Sequence, residues 1–349
     1  MVSFEFLEPT DPRWSEALTR IRHDVFHLPG YASLEATRLG GQARAAWVHG
    51  DFGELFLPLV VRHHPFGGLD AMSPYGYPGP IGGVGPSRLR EAFDHLWAGI
   101  GEHGVESVFV RCHSWAGPDL SALRGQAGQW LVEHGDTVTI DLEQDEDAVF
   151  KAYRSTTRNL VRRLGRDGFQ ANQAPWSRAG EFLEIYTSTM RRLDASAGYF
   201  FDQAYLDGLK QELGDGLALF VVEREGQTAA AGLATCRDGS AQYYLSGARP
   251  EFARASPTRI LVDAMWRWAK ANGGLRMNLG GGLGGGEDSL FKFKAGFSKD
   301  RAQFQTLRVV TQPGRFRRSV AAWEARSGRG APGPTDFFPP YRATVEQAA

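Results

Sequence analysis

Apolar and polar positions alternate along the chain in two similar series. "VSFEFLE" (2–8) has the period of a strand and "RWSEALTRI" (13–21) that of a short helix. In "RAAWVHGDFGELFLPLVVRHH" (44–64), apolar and β-branched runs flank His49-Gly50-Asp51, the pattern of two strands joined by a turn. A loop dense in proline and glycine, "AMSPYGYPGPIGGVGPS" (71–87), leads into a helix whose Leu89, Phe93, Leu96 and Ile100 recur at helical spacing, and "VESVFVRCH" (105–113) follows as a buried strand.

The second series repeats that grammar. "TVTIDL" (137–142) predicts a strand, and "DEDAVFKAYRSTTRNLVRRLGRDG" (145–168) a single helix ending at a glycine, with arginines in its last turns where they suit the dipole. "AGEFLEIYTSTMRRLDA" (179–195) predicts a second helix. Residues 217–248 read as three strand runs divided by Glu-Gly and Asp-Gly turns. The loop "RPEFARASP" (249–257), the helix "TRILVDAMWRWAKANGG" (258–274), a strand at 275–279 and a closing strand "AQFQTLRVV" (302–310) complete the series. Two domains of the α/β class are expected, at 1–143 and 144–312, each a mixed, largely antiparallel sheet flanked by helices. Residues 313–349 are expected to form a helix and a tail whose "FFPPYR" docks onto a domain.

Length and composition narrow the function classes. At 349 residues, 42% hydrophobic and with a formal net charge of -1, the chain can bury sizeable cores and has no global basic field for nucleic acid or an anionic membrane. Contact with either must be local. Cys112 and Cys236 lie far apart without a CxxC, so neither a disulfide framework nor a cysteine zinc site is supported. The acidic, proline-containing start "MVSFEFLEPTDPRW" is unlike a secretory signal, and no stretch approaches the roughly 20 apolar residues of a membrane span, so a cytoplasmic location is expected. All nine histidines precede Phe150, and every lysine follows it. Three of the few lysines, Lys292, Lys294 and Lys299, crowd into "LGGGLGGGEDSLFKFKAGFSK".

Each candidate group has a structural and a chemical reading. Glu287 and Asp288 suit a helix N-cap better than a general base, and no metal is expected because no histidine follows Phe150 to complete a ligand set. His23, His27, His63 and His64 read as structural or surface residues. Arg154, Arg158, Arg162, Arg163 and Arg166 line mainly one side of a helix, and Arg249, Arg254, Arg259 and Arg267 are spread over a loop and the following helix. They form either a solvated face paired with carboxylates or a patch for phosphates. Tyr75 and Tyr77, in a rigid loop, either line a groove or pack against the sheet.

The order of sheet, loop, helix and strand, with the ending "AGF", resembles the GNAT acyltransferases. In that family the loop before the main helix carries glycines that hold a coenzyme A pyrophosphate; here 253–259 lacks them, and Pro257 removes a backbone donor. Lys292 stands where that family commonly has a tyrosine. Tandem GNAT-like domains with "SPYGYPGPIG", "TTRNLVRRLGRDGF", "MRRLDASAGYFF" and "LGGG…DSLFKFKAGFS" resemble the Fem-type peptidyltransferases over nearly the whole chain.

That resemblance implies transfer of an aminoacyl group from aminoacyl-tRNA onto an amine of a cell-wall precursor or natural-product intermediate, without a cofactor. It points to Lys294 as the cation that stabilises the oxyanion, and to Phe293 as a shaper of the aminoacyl pocket. Tyr75, Tyr77, Arg192, Tyr199, Tyr244, Arg249 and Lys292 become substrate-binding candidates, and Arg158, Arg162, Arg254 and Arg259 candidates for tRNA phosphates. The alternatives are an acyl-CoA-dependent N-acyltransferase for a small amine or sugar, and a non-catalytic binding protein.

Overall fold

The computed structural model describes residues 2–343. In chain order the elements are β1 (Ser3–Leu7), α1 (Pro12–Arg20), α2 (Pro29–Leu39), β2 (Gln42–Gly50), β3 (Gly53–His63), β4 (Leu69–Met72), α3 (Leu89–Glu102), β5 (Val105–Arg111) and β6 (Gln129–Asp141). There follow α4 (Glu146–Ala152), α5 (Ser155–Arg166), β7 (Gln170–Ala174), α6 (Ala179–Arg192), α7 (Gln203–Leu213), β8 (Leu217–Arg224), β9 (Gln227–Arg237) and β10 (Ser240–Ala248). The chain closes with α8 (Thr258–Ala271), β11 (Arg276–Gly280), α9 (Ser289–Lys294), β12 (Arg301–Val310) and α10 (Pro313–Ser327).

Two compact units result, one of residues 1–134 and 303–349, the other of 135–302. This differs from the expected limits of 143, 312 and a separate tail. The reason is strand exchange: β12 pairs antiparallel with β5 (Leu307 opposite Val110) and so returns residues 303–349 to the first unit. In that unit β1 to β5 pair in sequence, antiparallel except for the β4–β5 pair, which is parallel and joined through α3. Leu89, Phe93, Leu96 and Ile100 of α3, at the predicted spacing, are all buried against it.

The second unit repeats the scheme. β7, β8, β9 and β10 pair antiparallel, β10 and β11 pair parallel through α8, and β6 closes the sheet antiparallel to β11. One sheet face packs Ile140, Phe220, Ala234, Ala241 and Met277 against Leu261, Met265 and Trp266 of α8 and Val161 and Leu164 of α5.

The helix expected over 145–168 is broken in two. Tyr153 (φ -56°, ψ 144°) and Arg154 (φ -54°, ψ 143°) are extended. Tertiary bonds hold them so: the Tyr153 hydroxyl donates to Asp263 Oδ1 at 2.8 Å, and Arg154 N donates to Gly296 O at 2.9 Å. A Cβ on Gly296 would lie 2.4 Å from Thr157 Oγ1 and 3.0 Å from Phe293 O. Gly296→Ala is therefore expected to destabilise the protein by about 1–3 kcal/mol in urea titration, the usual effect of overpacking a filled contact.

The tail docks on the first unit. Tyr341 stacks on His64 with ring centroids 4.3 Å apart and its hydroxyl lies 2.7 Å from Ser107 Oγ, Phe338 stacks on Phe316, and Arg342 Nε donates to Asp70 Oδ2 at 2.7 Å. The loop carrying Tyr75 and Tyr77 is also anchored there. Tyr75 N donates to Glu35 Oε2 at 3.1 Å, and Tyr77 meets Phe304 edge-on at 5.5 Å. His27 is buried and donates from Nε2 to Gly79 O, so it serves that loop's structure.

Candidate active site

The second unit opens where its parallel strands part. β10 and β11 pair only from Ser240–Arg276 to Gln242–Asn278; β10 then runs on through a bulge at Tyr243/Leu245 to Ala248. The carboxyl ends of parallel strands, beside the amino end of their crossover helix, are where open α/β sheets take ligands.

The glycine-rich stretch turns the chain tightly at that end. Gly280, Gly284 and Gly285 have φ of 79°, 61° and 85°, and a Cβ on Gly282 would lie 2.0 Å from Gly286 O. Asp288 fastens both sides of the loop, accepting from Phe291 N at 2.8 Å as the N-cap of α9 and from Leu283 N at 3.0 Å. These backbone bonds hold the Asp288 carboxyl below its usual range.

α9 turns Phe291 into the apolar core and thereby buries Lys294, three residues on and on the same side. Lys294 is 9% exposed, and its Nζ donates to Gly281 O at 2.7 Å. Burial pushes the ammonium down to about 8, against the attraction of Asp288. It remains mainly a cation at neutral pH. Lys292 and Lys299 are exposed.

Phe293 packs edge-on to Phe297 at 5.4 Å, and the Arg259 guanidinium lies 5.2 Å from its ring centroid. Arg259, in the first turn of α8, is half-buried without a carboxylate partner among the described residues, and burial lowers its pKa. Its Nε has no hydrogen-bond partner among them. The structure thus stacks Arg259 on Phe293, the chain neighbour of Lys294.

The other candidates divide. Arg249 is paired with Glu184 at 3.2 Å and approaches Glu181 at 3.9 Å, and Arg158 donates to Lys151 O and Tyr153 O, so both are occupied. Arg162 is exposed and lies over Phe150 at 5.4 Å; Arg254 and Arg192 are exposed. Tyr244 and Tyr205 share a hydroxyl contact of 3.0 Å, and Tyr199 O accepts from the Tyr186 hydroxyl at 2.9 Å. Tyr75 and Tyr77 belong to the first unit. Sequence reading passed over Asn278, whose signal is a lone amide between core residues Met277 and Leu279. Among the described residues no histidine, cysteine or acid cluster is placed to hold a metal, and no helix is long and apolar enough to cross a membrane.

Comparison with known proteins follows this geometry. Residues 151–294 match the acetyltransferase (GNAT) domain family. The solved structure of FemX superposes with a TM-score of 0.70 at 14% identity, covering 90% of this chain and 99% of FemX. The chain is Fem-like in fold. Two other solved structures share this Fem-like fold. L-PGS from Bacillus licheniformis has a TM-score of 0.52 at 16% identity, covering 87% of this chain and 93% of its own. The C-terminal domain of a putative lysylphosphatidylglycerol synthetase from Agrobacterium fabrum has 0.51 at 14%, covering 85% and 90%. No curated protein sequence matches the chain.

Proposed function

We propose that this Fem-like protein transfers an aminoacyl group from aminoacyl-tRNA onto an amine of a cell-wall precursor or natural-product intermediate. The observation that carries this reading is Lys294, a buried ammonium whose one hydrogen bond among the described residues, to Gly281 O, leaves two N–H groups for a substrate oxygen. The amine nitrogen attacks the ester carbonyl carbon, whose π electrons move onto oxygen. That attack forms the C–N bond; collapse then re-forms the carbonyl, breaks the ester C–O bond and expels the ribose oxygen, which takes a proton as the amine loses one to substrate or solvent. A fixed cation at that oxyanion contributes on the order of 3 kcal/mol. Phe293, held by Phe297 and Arg259, shapes the acyl end of the site. A neighbour of the same fold named for lysylphosphatidylglycerol synthesis supports aminoacyl transfer as the chemistry.

Arg162, Arg254 and Arg259 are the candidates left for donor phosphates once Arg158 is set aside as occupied, and the substrate-binding candidate Arg249 is paired with Glu184. Binding of aminoacyl-tRNA is therefore expected to weaken steeply with salt. Each of Arg254→Ala and Arg259→Ala should make the slope of log affinity against log salt shallower by roughly 0.7–0.9, while Arg249→Ala leaves it unchanged. Equal slopes in all four proteins contradict the phosphate patch.

An acyl-CoA donor is the second reading, prompted by the GNAT match over 151–294. Against it, the turn into α8 holds Ser256 at φ 57° and has Pro257 as N-cap, and 253–259 contains no glycine to let backbone amides converge on a pyrophosphate. Acetyl-CoA is expected to show no low-micromolar binding by calorimetry.

A further inference from the structure

A row of polar side chains crosses the second unit's sheet. Thr139, Asn278, Gln242 and Thr235 stand opposite one another in register on β6, β11, β10 and β9, and none is more than 2% exposed. Their chain neighbours Val138, Ile140, Met277, Leu279, Ala241, Ala234 and Cys236 all lie in the apolar core. By strand alternation the row faces away from that core. Buried polar groups are nearly always paired, and an unpaired one calls for an explanation. Among the described residues, Asn278 Nδ2 has no hydrogen-bond partner.

Asn278 occupies the last paired rung of β10 and β11, where the strands part. Its Oδ1 accepts from Gly280 N at 2.9 Å, and only oxygen can face that N–H, so the amide orientation is fixed. The same bond spans the β-bulge between Asn278 and Gly280 and holds Gly280 at φ 79°. The next carbonyl, Gly281 O, receives Lys294 Nζ.

We propose that Asn278 acts at both ends of its amide: Oδ1 fixes the Gly280–Gly281 turn that seats Lys294, and Nδ2–H donates to the acyl oxygen of the donor. This rests on the aminoacyl-transfer reading and adds an amide donor from the strand end whose turn seats the lysine. Asn278→Asp separates the two ends, because a carboxylate keeps the acceptor for Gly280 N and loses the donor. Asn278→Ala loses both.

Calorimetry with 3′-phenylalanylamino-3′-deoxyadenosine, a stable mimic of the aminoacyl end of tRNA, reads the donor end. Wild type is expected to bind, and both variants at least tenfold more weakly. Wild-type affinity in Asn278→Asp overturns the donor role. Acylation of the ligand-free protein by acetic anhydride, read by mass spectrometry with exposed Lys292 and Lys299 as internal references, reports the seat of Lys294. Lys294 should react slowly in wild type and Asn278→Asp and faster in Asn278→Ala; an unchanged rate in Asn278→Ala overturns the seating role. If Lys294→Met binds the mimic like wild type while Asn278→Asp does not, the ground-state contact to the acyl oxygen belongs to Asn278, and the lysine's role is read by turnover alone. No binding by wild type overturns the aminoacyl-donor reading and the donor role together.

Discussion

Lys294→Met is expected to lower turnover about 100-fold or more while making the folded protein more stable at pH 7. Both effects follow from one burial. The ammonium sits in a 9% exposed position, and desolvation drops it from its ordinary value of 10.5 to about 8. Below pH 8 the folded state carries a cation that it solvates poorly, and an apolar side chain of similar length removes that cost, on the order of 1 kcal/mol or more. Between pH 8 and 10.5 the unfolded chain still holds a proton that the folded chain has shed, so wild-type stability gains with rising pH in that window. The stability gap between variant and wild type should therefore narrow from pH 7 to pH 9.5 in thermal melts. Wild-type turnover should decline as pH rises through about 8, where the cation is lost. A variant that is less stable at pH 7, or as active as wild type, contradicts this account of the site.

Phe297→Ala is expected to cost about 3–5 kcal/mol, the usual range for emptying a large buried aromatic site. Its ring is fully buried and meets two others edge-on, Tyr153 at 5.1 Å (82°) and Phe293 at 5.4 Å (77°). Tyr153 marks the break between α4 and α5, and Phe293 is the neighbour of Lys294. One ring thus ties the helix break to the turn that carries Lys294. Chemical denaturation should show the stability loss, and the surviving folded fraction should also turn over more slowly. A loss below 1 kcal/mol would mean that the site can collapse around the gap.

Much of this was legible in the sequence wherever a local signal and its tertiary outcome agree. The spacing of Leu89, Phe93, Leu96 and Ile100 specified α3 because one apolar face meets one sheet. The Glu-Gly and Asp-Gly pairs marked the β8–β9 and β9–β10 turns because those positions need positive φ: Glu225 and Gly226 have φ of 51° and 74°, Asp238 and Gly239 46° and 82°. Local pattern could not show the break at Tyr153, which depends on Asp263 and Gly296, both over 100 residues away. The return of β12 to β5 was hidden for the same reason. Within the site, the lysine cluster was visible in the composition, but which lysine is buried was decided by the side of α9 that Phe291 turns inward. The arginines were equally visible, whereas their carboxylate and carbonyl partners, which occupy Arg249 and Arg158 and leave Arg259 stacked on Phe293, come from distant elements. Asn278 gave only a weak signal, since one amide in a five-residue strand is easily read as surface.

The most direct measurement is turnover. Purified protein is incubated with a pool of charged tRNAs and a panel of amines, including cell-wall precursors, and the products are weighed by mass spectrometry, with Lys294→Met in parallel. The account predicts an amine heavier by one aminoacyl residue, formed by wild type and reduced about 100-fold by Lys294→Met. Acetylated amine formed from acetyl-CoA with no aminoacyl product, or equal aminoacyl product from both proteins, would contradict it.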